Sequence, residues 1–288
     1  MNRHKKIDSR DIGLEIALIF GNYLLKTNHL HFGYWTSDLQ IDLSNLPKAQ
    51  ENYSSFITSH IPEGTKTILD VGCGAGRLAL KLIETGYQVV DCVSPSRLLT
   101  ENVRNLLGNR SHIFECSYEE METENRYDVV LFSESFQYVN LKKALENSLK
   151  FLNDGGYLLI CDYFKTNAEG KSMLGGGHRL DRFYDLISQY PFTLIQDIDI
   201  TRETAANLTI VNDFFTRVGL PVWNLLTYFT HNNYPFLSRV LQWKFRKKIE
   251  KIQQKYFTGT INAENFWIFK TYRLLLYKKT NPDIVSKV

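Results

Sequence analysis

The sequence is poor in the features that announce a specialised class. It has four cysteines, Cys73, Cys92, Cys116 and Cys161, and no two of them form a C-x-x-C pair. Zinc-ribbon and thioredoxin-type readings therefore fail. All four lie in or beside apolar runs, so they read as buried free thiols in a reducing compartment. Net charge is scarce: 34 Lys plus Arg oppose 31 Asp plus Glu, leaving +3. That balance makes no compositional case for nucleic acid. Long apolar runs are absent too. The longest near the start, residues 12–26, is interrupted by Glu15 and is too short to span a bilayer. The first residues are basic but carry Asp8 and Asp11, and no small-residue cleavage site follows. A cytoplasmic protein is the expectation. There is no internal repeat and no low-complexity tract.

What is present is globular. Hydrophobic residues make up 43% and charged residues 23%, which excludes disorder as the main state. A chain of 288 residues can bury a core without disulfides or metal. Residues 1–62 read as an N-terminal helical segment, with Ile12, Ile16, Ile19 and Tyr23 at helical spacing. From 66 to 164 short apolar runs alternate with amphipathic helices. Strands are expected at 67–71, 87–93, 112–116, 127–132 and 156–164. Helices are expected at 77–86, from Ser94-Pro95 to about Leu107, and at 141–152. Such alternation implies right-handed βαβ units and a parallel, doubly wound sheet. Residues 192–201 and 269–279 read as a sixth and a seventh strand. The expected fold is α/β: a Rossmann-like seven-stranded sheet with N-terminal helices and a helical insertion between strands six and seven. The expected units are 1–62, a core at 63–203, the insertion at 204–266, and a last strand with tail at 267–288.

The stretch ILDVGCGAGRLALKL (68–82) carries the chemistry. An apolar strand contains Asp70, then Gly72, Gly74 and Gly76 allow a tight turn, and a helix starts at once. Glycine there permits unusual backbone angles and close approach of a ligand. The helix start offers free N–H groups to an anion. Gly74, Gly76 and Ala79 also fit G-x-G-x-x-A, the dinucleotide fingerprint, with Asp91 near the position of a ribose-binding acid. That fingerprint does not usually place an acid two residues before its first glycine, as Asp70 is placed before Gly72.

The stretch resembles the glycine-rich motif of class I S-adenosylmethionine-dependent methyltransferases. The loop at 127–139 and the Gly-Gly turn within 151–164 resemble that family's fourth strand with its loop and its entry to the fifth strand. The resemblance covers about 66–164 and the last two strands. It implies S-adenosyl-L-methionine as cofactor and S-adenosyl-L-homocysteine as product. It also implies that Asp70, Gly72, Cys73, Gly74 and Gly76 hold the cofactor's amino-acid end, with Ser133 bordering it. HLHFGYW (29–35) is similar to a stretch ahead of the core in small-molecule methyltransferases, where Tyr34 would meet the cofactor; the alternative is that Tyr34 and Trp35 only pack. The usual acid ending strand two is missing, since the register puts Cys92 there and Asp91 one residue off. Ser94 and backbone groups would then hold the ribose. Ser117 would stand where an Asp meets adenine, with Tyr118 available to stack.

Class I enzymes share the cofactor site and differ in substrate. The loop Ser133-Glu134-Ser135-Phe136-Gln137-Tyr138 lacks the Asn/Asp-Pro-Pro motif of amino-methylating enzymes, and no Pro-Cys dipeptide occurs. It is closer to the small-molecule type. Tyr138, His178 and His31 are the candidate bases or orienting groups. The glycines at 175–177 read as a mobile entrance before a helix starting at His178, and Arg179 and Arg182 as holders of an anionic substrate group or as surface charges. The aromatic-rich insertion reads as a substrate cap. Residues 239–255 pair an apolar face with a basic one, which suits a solvated outer face, a membrane surface or RNA. No motif calls for a metal. The expected acceptor is a small apolar or amphipathic molecule. The alternatives are an RNA or protein methyltransferase docking through 239–255, and a non-catalytic cofactor-binding module.

Overall fold

The computed structural model describes residues 9–170, 172 and 174–280. The apolar runs form one sheet of seven strands: β1 (Thr67–Val71), β2 (Val89–Val93), β3 (Ile113–Phe114), β4 (Tyr127–Ser133), β5 (Leu152–Lys165), β6 (Phe192–Asp199) and β7 (Lys270–Lys279). Their order is β3-β2-β1-β4-β5-β7-β6. The first five are parallel, and β7 runs antiparallel to β5 and β6. The order reverses between β1 and β4, which is where ligands of open α/β sheets bind.

Ten α-helices accompany the strands among the described residues: α1 (Ser9–Phe20), α2 (Leu46–Ser59), α3 (Arg77–Glu84), α4 (Arg97–Leu107), α5 (Leu141–Phe151), α6 (Leu180–Ile187), α7 (Thr201–Phe214), α8 (Leu220–Asn233), α9 (Pro235–Tyr256) and α10 (Ala263–Phe269). Both sheet faces are covered. Ile68, Val90, Val129 and Leu159 face one core, and Leu69, Val130, Phe132 and Leu158 the other. Successive residues point to opposite faces, so a strand buried on both sides reads as a continuous apolar run. Helix starts follow local chemistry. Asn140 Oδ1 accepts from Lys143 N at 3.1 Å and Asn262 Oδ1 from Asn265 N at 2.8 Å, each satisfying an otherwise unpaired donor.

Two sequence expectations need correction. Residues 26–42 are not helical. They form an extended strap whose backbone finds partners elsewhere: Tyr34 N donates to Ala49 O at 2.8 Å and Trp35 N to Glu203 O at 2.9 Å. Asn207 clamps Gly33 on both sides, with Gly33 N donating to Oδ1 at 2.8 Å and Nδ2 donating to Gly33 O at 2.7 Å. The insertion is also not separate along its length. In α7, Thr204 to Leu208 are buried, and Phe266 of α10 lies in the core. What projects is residues 215–257, where α8 has no buried residue and α9 has only Ser238.

Candidate active site

At the end of β1, Gly72, Gly74 and Gly76 have φ of +74°, +54° and +79°, values that L side chains avoid. A Cβ on Gly72 would collide with Ser135 Cβ. The glycine turn therefore lies directly on the loop after β4, and Ser135 Oγ donates to Val71 O. Gly74 has only Leu30 of the strap nearby, at 3.7 Å from an added Cβ. Cys73 is buried at the same turn with its thiol against Cys92. Asp70 is 1% exposed and its Oδ2 has no hydrogen-bond partner. Burial pushes its carboxyl up to about 7. A buried, unsatisfied carboxylate is costly on its own. A cationic ligand group would complete it.

Strand β2 answers the question of the missing acid. Cys92 pairs with Asp70 in the parallel register, and Asp91 pairs with Leu69 on the opposite face. Asp91 is already used: Oδ1 accepts from His112 N at 3.0 Å and Oδ2 from Tyr127 OH at 2.8 Å. Ser94 Oγ accepts from Ser96 N at 3.3 Å, and Ser117 Oγ donates to Glu120 Oε2 at 2.8 Å. Tyr118 departs from the expectation that it stacks on a ligand. It is 2% exposed, edge-on to Phe132 and Phe151, with its hydroxyl 3.2 Å from Ser148 Oγ. Its ring fills the second core.

The loop after β4 brings a residue that motif reading passed over. Glu134 has φ +55°, one of two non-glycine residues at positive φ among the described residues. Such strain persists only where the surroundings impose it, and it clusters at functional sites. Glu134 Oε1 accepts from Phe32 N of the strap and from Tyr272 OH of β7, both at 2.7 Å. Both bonds fall on Oε1 and leave Oε2 for a ligand. Burial pushes this carboxyl up to about 8, against the two hydrogen bonds that favour its ionised form. Tyr272 OH lies 2.7 Å from Tyr53 OH, which donates to Cys161 O at 3.2 Å, and Ser133 Oγ sits 3.5 Å from the same hydroxyl. The next layer holds Asp162, whose carboxylate accepts from Gln137 N and Nε2 at 3.0 and 3.1 Å.

The expected bases sit differently. His31 is adjacent to this cluster, with its ring 4.6 Å from that of Tyr53. Its Nδ1 donates to Phe32 O at 2.7 Å and Nε2 accepts from Ser54 Oγ at 3.2 Å. Burial, then the neighbouring His29, lowers its pKa to about 3, so it is neutral and fully bonded. His178 precedes α6 and does not start it. Its Nε2 is 3.1 Å from both Phe136 O and Val139 O, where it donates and shapes the β4 loop. Tyr138 is 62% exposed on that loop. Arg179 pairs with Asp181.

Of the glycines at 175–177, Gly175 stands in open space and only the next two lie against other groups. Gly176 and Gly177 have φ of +74° and +79°, and side chains there would strike Gln137 and Tyr163. Buried Lys270 fastens this segment by donating to Gly176 O at 2.6 Å. Tyr34 stacks on Phe56 at 4.9 Å, so within this structure its ring packs α2. The aromatic insertion does not cap the cluster: Tyr228, Tyr234 and Phe236 are 71%, 54% and 80% exposed. An open cleft of about 820 Å³ lies to one side, between α6, α7 and the start of β7. Of its lining charges, Arg273 pairs with Asp199 and, beyond the lining, with Asp197. Among the described residues no three His, Cys, Asp or Glu side chains gather as a metal ion would need, and no helix is long and apolar enough to cross a membrane. The four cysteines are unpaired.

Comparison with known proteins bears on this geometry. A family model described as a methyltransferase domain matches residues 47–195. An uncharacterized methyltransferase of Staphylococcus carnosus is 26% identical over 170 residues, 56% of this chain and 79% of that protein. A tRNA U34 carboxymethyltransferase of Cronobacter sakazakii is 34% identical over 102 residues, 33% of this chain and only 28% of its own length. Among solved structures, a geranyl diphosphate C-methyltransferase of Streptomyces coelicolor A3(2), crystallised with Mg2+, geranyl diphosphate and S-adenosyl-L-homocysteine, superposes with a TM-score of 0.64 at 12% identity. The superposition covers 93% of this chain and 97% of that one.

Proposed function

Because the chain belongs to the methyltransferase-domain family, with that domain spanning residues 47–195, we propose that it methylates a small apolar or amphipathic acceptor held against Glu134. The chain is a methyltransferase and its cofactor is S-adenosyl-L-methionine. The observation that carries the reading is the placement of two carboxyl groups across the β1/β4 switch point: Asp70 at the glycine turn, buried with Oδ2 unpaired, and half-buried Glu134, held through Oε1 in the loop packed on that turn. They divide the work.

Asp70 fits the cofactor's ammonium group, because Oδ2 lacks a partner and the site is otherwise closed. The N–H groups at the start of α3 fit its carboxylate, since those of Gly72 and Gly76 already donate to Val93 O and Cys73 O. When bound, S-adenosyl-L-methionine supplies an electrophilic methyl group on a sulfonium. The chain's own part is positioning, water exclusion and proton handling. His31, Phe32, Tyr53, Tyr163, Phe266 and Tyr272 form a packed aromatic cluster beside Glu134, with ring centroids 4.6 to 6.5 Å apart. An apolar or amphipathic acceptor suits those surroundings. Ionised Glu134 takes the proton that an O–H or N–H acceptor loses, and Tyr272 OH steadies the resulting charge distribution from Oε1. Phe32 N covers Glu134, so substrate access runs through displacement of the strap.

A small acceptor is favoured over RNA because Glu134 is enclosed by the strap and by β7, leaving no open groove for a polymer. The neighbour that acts on geranyl diphosphate supports the same class through a shared architecture over nearly its whole chain. The tRNA-modifying relative is matched over 28% of its length. Glu134→Gln tests the assignment. It should lower kcat by about 100-fold or more, in the range of lost acid–base catalysis, with cofactor Kd unchanged. Unchanged kcat would remove Glu134 from the acceptor site.

A further inference from the structure

The projecting hairpin of α8 and α9 exposes apolar side chains that the fold does not use. In α8, Val222, Leu225, Leu226 and Phe229 stand at i, i+3, i+4 and i+7, one helix face, and are 48%, 68%, 59% and 54% exposed. The helix contains no Asp, Glu, Lys or Arg. In α9, Phe236, Val240 and Trp243 repeat the spacing at 80%, 39% and 83% exposure. Tyr234, at the corner between the helices, is 54% exposed. Scattered surface hydrophobics are ordinary, but a contiguous patch marks an interaction surface.

Charge identifies the partner. The exposed face of α9 continues from Trp243 into Lys247 and Lys251 at four-residue steps. The helix carries seven basic residues against one acid, Glu250, which pairs with Arg246. The whole chain is only +3, so basic charge is concentrated here and the remainder is net acidic. The hairpin thus has an aromatic tip and a lysine-rich stem. We propose that this tip docks on an anionic lipid surface, with Phe229, Tyr234, Phe236 and Trp243 in the interface and the lysines on the headgroups. Amphipathic helices bind membranes by that combination of apolar burial and attraction to anionic lipid. The same hairpin of a second copy would bring like charge against like charge. RNA would answer the lysines and leave Val222, Leu225 and Leu226 wet. No helix among the described residues is long and apolar enough to cross a membrane, so the contact lies at the surface. The proposal does not depend on the methyl-transfer reading.

Flotation with vesicles tests it, using phosphatidylcholine alone and phosphatidylcholine with added phosphatidylglycerol. The wild type should float with the anionic vesicles and not with the neutral ones, and high salt should release it. Phe236→Ser with Trp243→Ser, and separately Lys247→Glu with Lys251→Glu, should each lower the bound fraction at least tenfold. The two mutated aromatics are the most exposed large hydrophobic side chains among the described residues, so S-adenosyl-L-homocysteine binding should be unchanged in both variants, showing that they are folded. Three results would overturn the proposal: no flotation of the wild type, equal binding to both vesicle types that ignores the lysine changes, or a concentration-dependent dimer in light scattering that the aromatic variant abolishes.

Discussion

Replacing Asp70 by asparagine keeps the side chain's shape and removes its charge. In the apo protein the wild-type carboxyl is buried, lacks a partner at Oδ2 and is pushed up to about 7. Its unfolded value is near 4. A carboxyl raised on folding favours the folded state only while it is protonated. Its contribution is fully present below about pH 4 and is lost as pH rises to about 7, for ~4 kcal/mol at ~1.4 kcal/mol per pH unit. Asp70→Asn should therefore flatten the pH dependence of apo stability and raise that stability at pH 8, partly offset by ~1–3 kcal/mol for an unpaired buried amide. Cofactor binding should respond in the opposite direction. Losing one charge-assisted hydrogen bond costs ~1.5–3 kcal/mol, which is about 10- to 150-fold in Kd. Below pH 7 the wild type must release the Asp70 proton to bind an ammonium group, so its affinity should rise up to tenfold per pH unit toward 7 and then level. The variant should show no such rise. Calorimetry at several pH values, in buffers of different ionisation enthalpy, reads both affinity and proton release. Equal affinity of wild type and variant at pH 8, or no proton release at pH 6, would refute the reasoning.

Gly74→Val should weaken cofactor binding at least tenfold, because its side chain would fill space at the turn where only Leu30 is near; thermal melting should show only the ~1–2 kcal/mol cost of a left-handed β-branched residue. Asp91→Asn should leave cofactor Kd unchanged while lowering stability by ~1–3 kcal/mol, since the carboxylate pairs with His112 N and Tyr127 OH; a tenfold loss of affinity would place Asp91 on the ribose instead. Tyr272→Phe removes a bond that favours ionised Glu134, so the rise of kcat with pH, expected near 8 for the wild type, should move to higher pH. An unmoved profile would separate Tyr272 from the proton-handling group.

Much of the core was legible because its signals are local. β1 lies where TILDV reads as a strand, and α3 starts where three glycines end. The register of β1 with β2 likewise follows from alternation, which is why Cys92 shares a face with Asp70 and Asp91 does not. The strap was not legible. Its residues have no period of their own, and their hydrogen bonds go to Ala49, Glu134, Glu203 and Asn207, up to 174 positions away. Tyr53 and Tyr272 carry no motif, since one sits mid-helix and the other mid-strand, and only the folded sheet edge brings their hydroxyls to 2.7 Å. Glu134 lay inside the loop singled out for its Tyr138 and was passed over, because burial and positive φ are invisible in composition. Tyr118 shows the converse failure. A residue at a family's ligand position turned its ring into the second core, where Phe132 and Phe151 receive it.

Asp70 and Glu134 are proposed to serve methyl transfer to a small acceptor. The direct measurement incubates the protein and its Glu134→Gln variant with methyl-labelled S-adenosyl-L-methionine and fractionated cell extract. Label should enter a low-molecular-mass, organic-extractable product, formed by the wild type and at least 100-fold more slowly by a variant that binds S-adenosyl-L-homocysteine normally. Label in the RNA or protein fraction, or none in any fraction despite cofactor binding, would contradict that assignment.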